Sequence, residues 1–208
     1  MKKLPKRLVI GLCSLYALLL GYTQSQYSNS MKVGTNYTRI FNHMTAARSP
    51  APFLVASKLS TVVHHRVDAT LVASVYQASE LTKVPVNLLL SVAIVESNLT
   101  NPSPNRVSGC CTGPFQVDYH VHRKRVWSCA KLLKKPISSP SVNVLAGAWI
   151  LKGYLYHNSL FSALSQYNGA TTSTARSTYY QKVAHALWQV GRLNIPTTTC
   201  RDNHGQYL

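Results

Sequence analysis

Glu96 is the side chain in this sequence best placed to move a proton. It is one of two glutamates among 208 residues, and it follows the apolar run Leu88-Leu89-Leu90-Ser91-Val92-Ala93-Ile94-Val95. At helical spacing Leu89, Val92 and Ala93 share its face, so the carboxyl emerges beside hydrocarbon and desolvation favours its protonated form. The closest basic residues in sequence, Lys83 and Arg106, are each more than two helical turns away. A carboxylic acid kept neutral in this way is a candidate general acid. His120 and His122 alternate in a loop-like stretch with no obvious further ligands, so neither a metal nor any other cofactor is expected.

The elements that must hold Glu96 follow from apolar period and end signals. Asp68 is suited to cap a helix carrying Leu71, Val72, Val75, Tyr76 and Ser79 in register, to about residue 83. Pro85 suits the first turn of a second helix, from 86 to about 99, whose apolar residues run nearly all the way round and predict a buried central helix. From 101 to 140, prolines and glycines punctuate short pieces that read as loops. Helices resume with Ser141 as cap and Val142, Leu145, Ala148, Trp149, Lys152 and Leu155 in register, then from 160 to 167, closing near Gly169. A last helix from 177 to 190 would turn Tyr180, Val183, Ala184, Leu187 and Trp188 inward and stop at Gly191. Strand-like alternation is scarce. The expected fold class is therefore mainly α, a compact helical domain over residues 68–195 with a cleft built from loops.

The flanks read differently. Lys2, Lys3, Lys6 and Arg7 precede an apolar stretch from 8 to 22, with small residues after it, which is the pattern of an export signal or N-terminal anchor over residues 1–25. Residues 26–67 are rich in Ser, Thr and Asn, with Ser49-Pro50-Ala51-Pro52 as a break, and read as mostly linker. Outside the signal segment stand four cysteines, Cys110, Cys111, Cys129 and Cys200, an even number suited to disulfides in an oxidising compartment. Adjacent Cys110 and Cys111 are poorly placed to bridge each other. Two pairings remain, both drawing on Cys129 and Cys200, and one bridge would tether the tail 196–208 to the body.

With 22 Lys plus Arg against 5 Asp plus Glu, the formal charge is +17, and loss of the four basic residues of the signal segment would still leave +13. Such a body favours anionic partners without choosing among them. The run His122-Arg123-Lys124-Arg125 with Lys131, Lys134 and Lys135 is suited to phosphates or to acidic wall polymers, and is also what a solvated charged face looks like.

The motifs converge on a family. The residues 88–97 ending in Glu96-Ser97, then Ser108, Gly113-Pro114-Phe115-Gln116, Asn143 with Ala146-Gly147, Ala163-Leu164-Ser165-Gln166-Tyr167-Asn168-Gly169 and Tyr179-Tyr180-Gln181-Lys182-Val183 together resemble the soluble-type lytic transglycosylase domain of the goose-type lysozyme-like superfamily. The likeness runs from about residue 84 to 187, and its specificity lies in several separated motifs in the right order. It implies a lysozyme-like helical fold that cleaves the β-1,4 bond between N-acetylmuramic acid and N-acetylglucosamine in peptidoglycan, with Glu96 as catalytic acid and base and a 1,6-anhydro product. It also implies that Ser97, Ser108, Gln116, Tyr167, Asn168 and Tyr179 line the substrate cleft.

Three departures from the family pattern stand out. Pro114-Phe115 replaces the usual Leu-Met, Gln166 replaces the usual Ala before Tyr-Asn, and Cys110 and Cys111 stand where small residues are common. Asp118, in Gln116-Val117-Asp118, resembles an aspartate of goose-type lysozymes that helps position water, so hydrolysis by Glu96 with Asp118 is the rival chemistry. A non-catalytic basic wall-binding or nucleic-acid-binding assembly protein is the rival of another class. The expected partners are peptidoglycan glycan strands, with a secretion, conjugation or phage assembly as possible settings. No nucleic acid is expected, membrane contact is expected only through the N-terminal segment, and the protein would be exported to the periplasm or cell envelope.

Overall fold

A computed structural model describes residues 51–102 and 111–195. The expected signal segment, most of the 26–67 stretch, Ser108, Cys110, Cys200 and the tail from 196 lie outside the described residues. Those described are mainly helical: α1 (Ala51–Val63), α2 (Ala69–Thr82), α3 (Val86–Ser97), β1 (Cys111–Thr112), β2 (Val117–Asp118), α4 (Arg123–Leu133), α5 (Pro140–His157), α6 (Leu160–Asn168) and α7 (Ser173–Arg192). Among them no helix is long and apolar enough to cross a membrane.

Two helices form the centre. In α3, Val86 and every residue from 88 to 93 are buried, which is what its nearly continuous apolar surface requires. In α5, all residues from 141 to 148 are buried. Helices α7 and α2 pack against α3, helices α2, α4 and α6 pack against α5, and α1 lies on α2 and α7. Local signals set several ends. The Asp68 carboxylate accepts from the Thr70 amide at 2.8 Å and starts α2, while left-handed Lys83 (φ 63°) stops it. Gly169 closes α6 in the same left-handed conformation (φ 69°).

Several sequence expectations need correction. Part of the expected linker is helix α1, whose Val55, Ala56, Leu59 and Val63 are buried against the domain. Pro52 does not break it, because proline in a first helical turn removes an N–H that has no intrahelical partner. Lys58 Nζ then ties α1 to the Leu193 carbonyl at 2.9 Å, at the end of α7. The region 101–140, expected as loops, holds α4 and the short hairpin β1–β2, with Cys111 opposite Asp118 and Thr112 opposite Val117. Ser139 stands at the N-cap position of α5 without a side-chain capping bond, Pro140 is in the first turn, and Ser141 lies inside the helix.

The last helix starts earlier and faces differently than expected. Thr172 caps α7 at the Ala175 amide, Gly191 lies within it, and its buried side chains are Tyr179, Val183, Ala186 and Val190. Trp188 is 57 % exposed and covered by the Arg192 guanidinium, 4.7 Å from the ring centre. Cys129 is not bridged: it is a free thiol on the inner face of α4, buried with Val126 and Ala130, and burial pushes its pKa up to about 11. Its place on the helix is that of a core side chain.

Candidate active site

Helix α3 delivers Glu96 to the edge of the core in its last turn. Leu89, Val92 and Ala93, on the same helical face, are fully buried, so the carboxyl stands on hydrocarbon. The chain turns away at once, with Asn98 and Leu99 both left-handed (φ 55° each). That conformation costs roughly 1–2 kcal/mol for a residue with a Cβ, and burial of the Leu99 side chain offsets it. The position of Glu96 along the helix is thereby pinned.

Burial raises the pKa of Glu96, and one hydrogen bond opposes it: the Tyr179 hydroxyl of α7 donates to Oε1 at 2.5 Å. The partial negative charge at the C-terminal end of α3 acts in the same direction as burial. Among the described residues no lysine or arginine contributes to the titration of Glu96. Tyr179 itself is held far above the ordinary tyrosine range, first by burial and then by the Glu96 charge, and so remains a donor. Tyr167 of α6 is also raised well above its usual value by burial and next by Glu96, which puts the two groups within electrostatic reach. Its hydroxyl donates to the Phe115 carbonyl at 2.8 Å.

The loop 113–116 beside this acid is fastened from three helices. Ser97 Oγ reaches the Pro114 carbonyl at 2.9 Å as well as Ala93 O one turn back. Asn143, buried on α5, accepts from the Phe115 amide at 2.8 Å through Oδ1 and donates to Thr112 O at 2.7 Å through Nδ2. Tyr167 supplies the third tie. Phe115 is fully buried on Gly147, where a Cβ would come 2.6 Å from the Phe115 Cβ and 2.7–2.8 Å from its ring carbons, and a Cβ on left-handed Gly113 would collide with the Asn143 amide. The Phe115 ring is thus accommodated by a glycine one layer below.

Glu96, Ser97, Tyr167 and Tyr179 are brought together around this loop. Gln116 sits at its end (φ 44°), with Nε2 donating to Gly113 O at 2.9 Å, which leaves its carbonyl oxygen for another partner. Asn168 is exposed at the end of α6, and Gln166, also exposed, donates through Nε2 to Ser162 Oγ at 3.4 Å. Asp118 closes the turn leading to α4, its Oδ1 accepting from the amides of His120 (2.8 Å) and Val121 (3.1 Å). Among the described residues no group of three or more His, Cys, Asp or Glu is placed to hold a metal ion.

The motif pattern does not mark Asn143 as a site residue, although a buried amide inside an apolar helix is the signal of such a fastener. Chemically, the arrangement offers one carboxyl whose burial favours its protonated form, a fixed hydroxyl on one of its oxygens, and no neighbouring cation among the described residues to favour the ionised form. Compared with known protein families, curated proteins and solved structures, the chain matches none.

Proposed function

We propose that this chain is a peptidoglycan lytic transglycosylase with Glu96 as its acid and base. The observation that carries the reading is the half-buried carboxyl of Glu96, raised in pKa by its apolar seat and contacted, among the described residues, by the Tyr179 hydroxyl rather than by a cation. Burial favours the protonated form that has to meet substrate, and the Tyr179 hydroxyl favours the carboxylate left once the proton is given away; these are the two states the reaction cycle needs.

In that cycle Glu96 donates its proton to the glycosidic oxygen as the bond to the anomeric carbon breaks. The C6 hydroxyl of the same sugar then bonds to the anomeric carbon, and its proton returns to the Glu96 carboxylate. The acid is regenerated and no water is consumed. An intramolecular nucleophile has a high effective concentration, so a second carboxylate to activate water is unnecessary. Tyr179 stabilises the transient carboxylate through its hydrogen bond, and Tyr167, Ser97 and Asn143 hold the loop that would floor the sugar site. Within this reading, the free carbonyl of Gln116 is available to a sugar hydroxyl.

Hydrolysis with Asp118 as the water-positioning group is less well supported, because one oxygen of that carboxylate already serves two backbone amides. Digestion of purified sacculi, with muropeptide masses read out, tests both readings. Anhydro-muramic ends released by the wild type and absent with Glu96→Gln are expected. Reducing ends from the wild type would replace the transglycosylase by a muramidase, and release undiminished in Glu96→Gln would remove Glu96 from the chemistry.

A further inference from the structure

The exposed face of α4 combines features that the chemistry at Glu96 does not use. Six basic side chains, Arg123, Lys124, Arg125, Lys131, Lys134 and Lys135, lie within thirteen residues and all are exposed. No acidic residue occurs anywhere in the sequence from 119 to 201, so no acidic side chain of that stretch can neutralise them. Mutual repulsion among so many like charges is a cost that an anionic partner would relieve.

The cations are interleaved with apolar groups in a regular way. Residues four apart on a helix are neighbours, which gives two adjacent exposed rows, Arg123–Trp127–Lys131 and Lys124–Ser128–Leu132, opposite the buried Val126, Cys129 and Ala130. Trp127 is 56 % exposed, and Val121 just before the helix is 72 % exposed. Beside the second row runs a groove of about 790 Å³ in which Arg123, Lys124 and Arg125 face Leu132 and Trp149. Its wall is fixed, since Arg125 Nη1 donates to Trp149 O at 3.3 Å and Lys152 Nζ sits 4.7 Å from the centre of the Trp149 ring, adding a further cation.

We propose that α4 and its groove are a contact surface for an acidic lipid bilayer, with headgroup phosphates between the basic side chains and Trp127, Val121 and Leu132 entering the interface. Cations alone would suit any polyanion, but aliphatic Val121 and Leu132 have nothing to stack on a nucleobase and gain from the acyl boundary of a bilayer. An indole flanked by Arg and Lys is the pairing favoured at the headgroup level. Membrane contact was expected from the sequence only through the N-terminal segment; this surface is a second one, and it does not depend on the chemistry at Glu96.

The test is co-sedimentation of the full-length chain with phosphatidylcholine vesicles, with and without phosphatidylglycerol. Wild-type binding should rise with phosphatidylglycerol and weaken as salt is added. The exposed triple change Arg123→Gln, Lys124→Gln, Lys131→Gln should lower binding to the acidic vesicles by about 100-fold, roughly fivefold per basic side chain removed. Both proteins retain residues 1–25, so that segment contributes equally. Trp127→Ala should weaken binding while leaving its salt dependence intact. A triple variant of unchanged helicity that binds acidic vesicles like the wild type would overturn the proposal. So would wild-type protein that ignores phosphatidylglycerol yet binds single- or double-stranded DNA through the same three residues.

Discussion

Tyr179→Phe isolates the one interaction among the described residues that favours the ionised form of Glu96. The substitution deletes a single oxygen, keeps the buried ring, and leaves Oε1 without the donor now 2.5 Å away. A hydrogen bond to a charged acceptor contributes about 1.5–3 kcal/mol, against about 0.5–1.5 for a neutral one. The carboxylate therefore loses roughly 1–2 kcal/mol more than the carboxylic acid does. Burial already raises the pKa and Tyr179 opposes it, so removing the opposition moves the pKa further up. In a pH–rate profile of sacculus digestion, the alkaline limb, where the acid is lost, should shift to higher pH. The rate on the plateau should fall by roughly 5–30-fold if the step that needs the carboxylate limits turnover. Thermal melting at acid pH, where Glu96 is neutral in both proteins, separates this effect from damage to the fold. An alkaline limb that stays in place or moves down would refute the assignment of Tyr179 as the partner that tunes Glu96.

Glu96→Gln should abolish lysis yet improve stability near neutral pH. With a folded-state pKa above its ordinary value near 4.5, Glu96 imposes no penalty below that value, and the penalty grows as pH rises through the interval up to the folded-state value. Urea melts should show the variant matching the wild type in acid and exceeding it at neutral pH. Gly147→Ala places a Cβ 2.6 Å from Phe115 and should cost about 1–3 kcal/mol in the same melts, with loss of activity from a displaced loop. Cys129, with its buried thiol pushed up to about 11, should resist iodoacetamide in the native protein and react after unfolding without any reductant. Mass measurement checks this, and a requirement for reductant would reveal a bridge.

What can be read from neighbouring residues was legible before any coordinates. Asp68 as a cap, Gly169 as a stop, and the all-round apolar surface of the helix ending at Glu96 are signals contained within a turn or two of chain, and they specify α2, α3 and α6 closely. The seat of Glu96 beside Leu89, Val92 and Ala93 belongs to the same class, because a helix fixes which side chains share a face. Where local signals were ambiguous, packing decided. Pro52 suits a break and a first turn equally well, and α1 forms because Val55, Leu59 and Val63 find apolar surface to cover. Helix α4 is hard to read within 101–140 because only three of its positions, Val126, Cys129 and Ala130, are buried, too few to stand out against the helix's four exposed cations.

The partners of the site could come only from tertiary structure. The Tyr179 hydroxyl reaches Glu96 across 83 residues of sequence, Tyr167 reaches Phe115 across 52, and Asn143 fastens Phe115 across 28. Such contacts depend on the angle and register at which helices dock, which no short-range period contains. The rotation of α7 shows the same thing: Tyr179, not Tyr180, faces inward, and Trp188 is left outside, because α7 turns toward the core the face carrying Val183, Ala186 and Val190. The sequence by itself determined that a lone acid would sit on an apolar helix; the docking of α6 and α7 decided which hydroxyls surround it, and hence how readily it ionises.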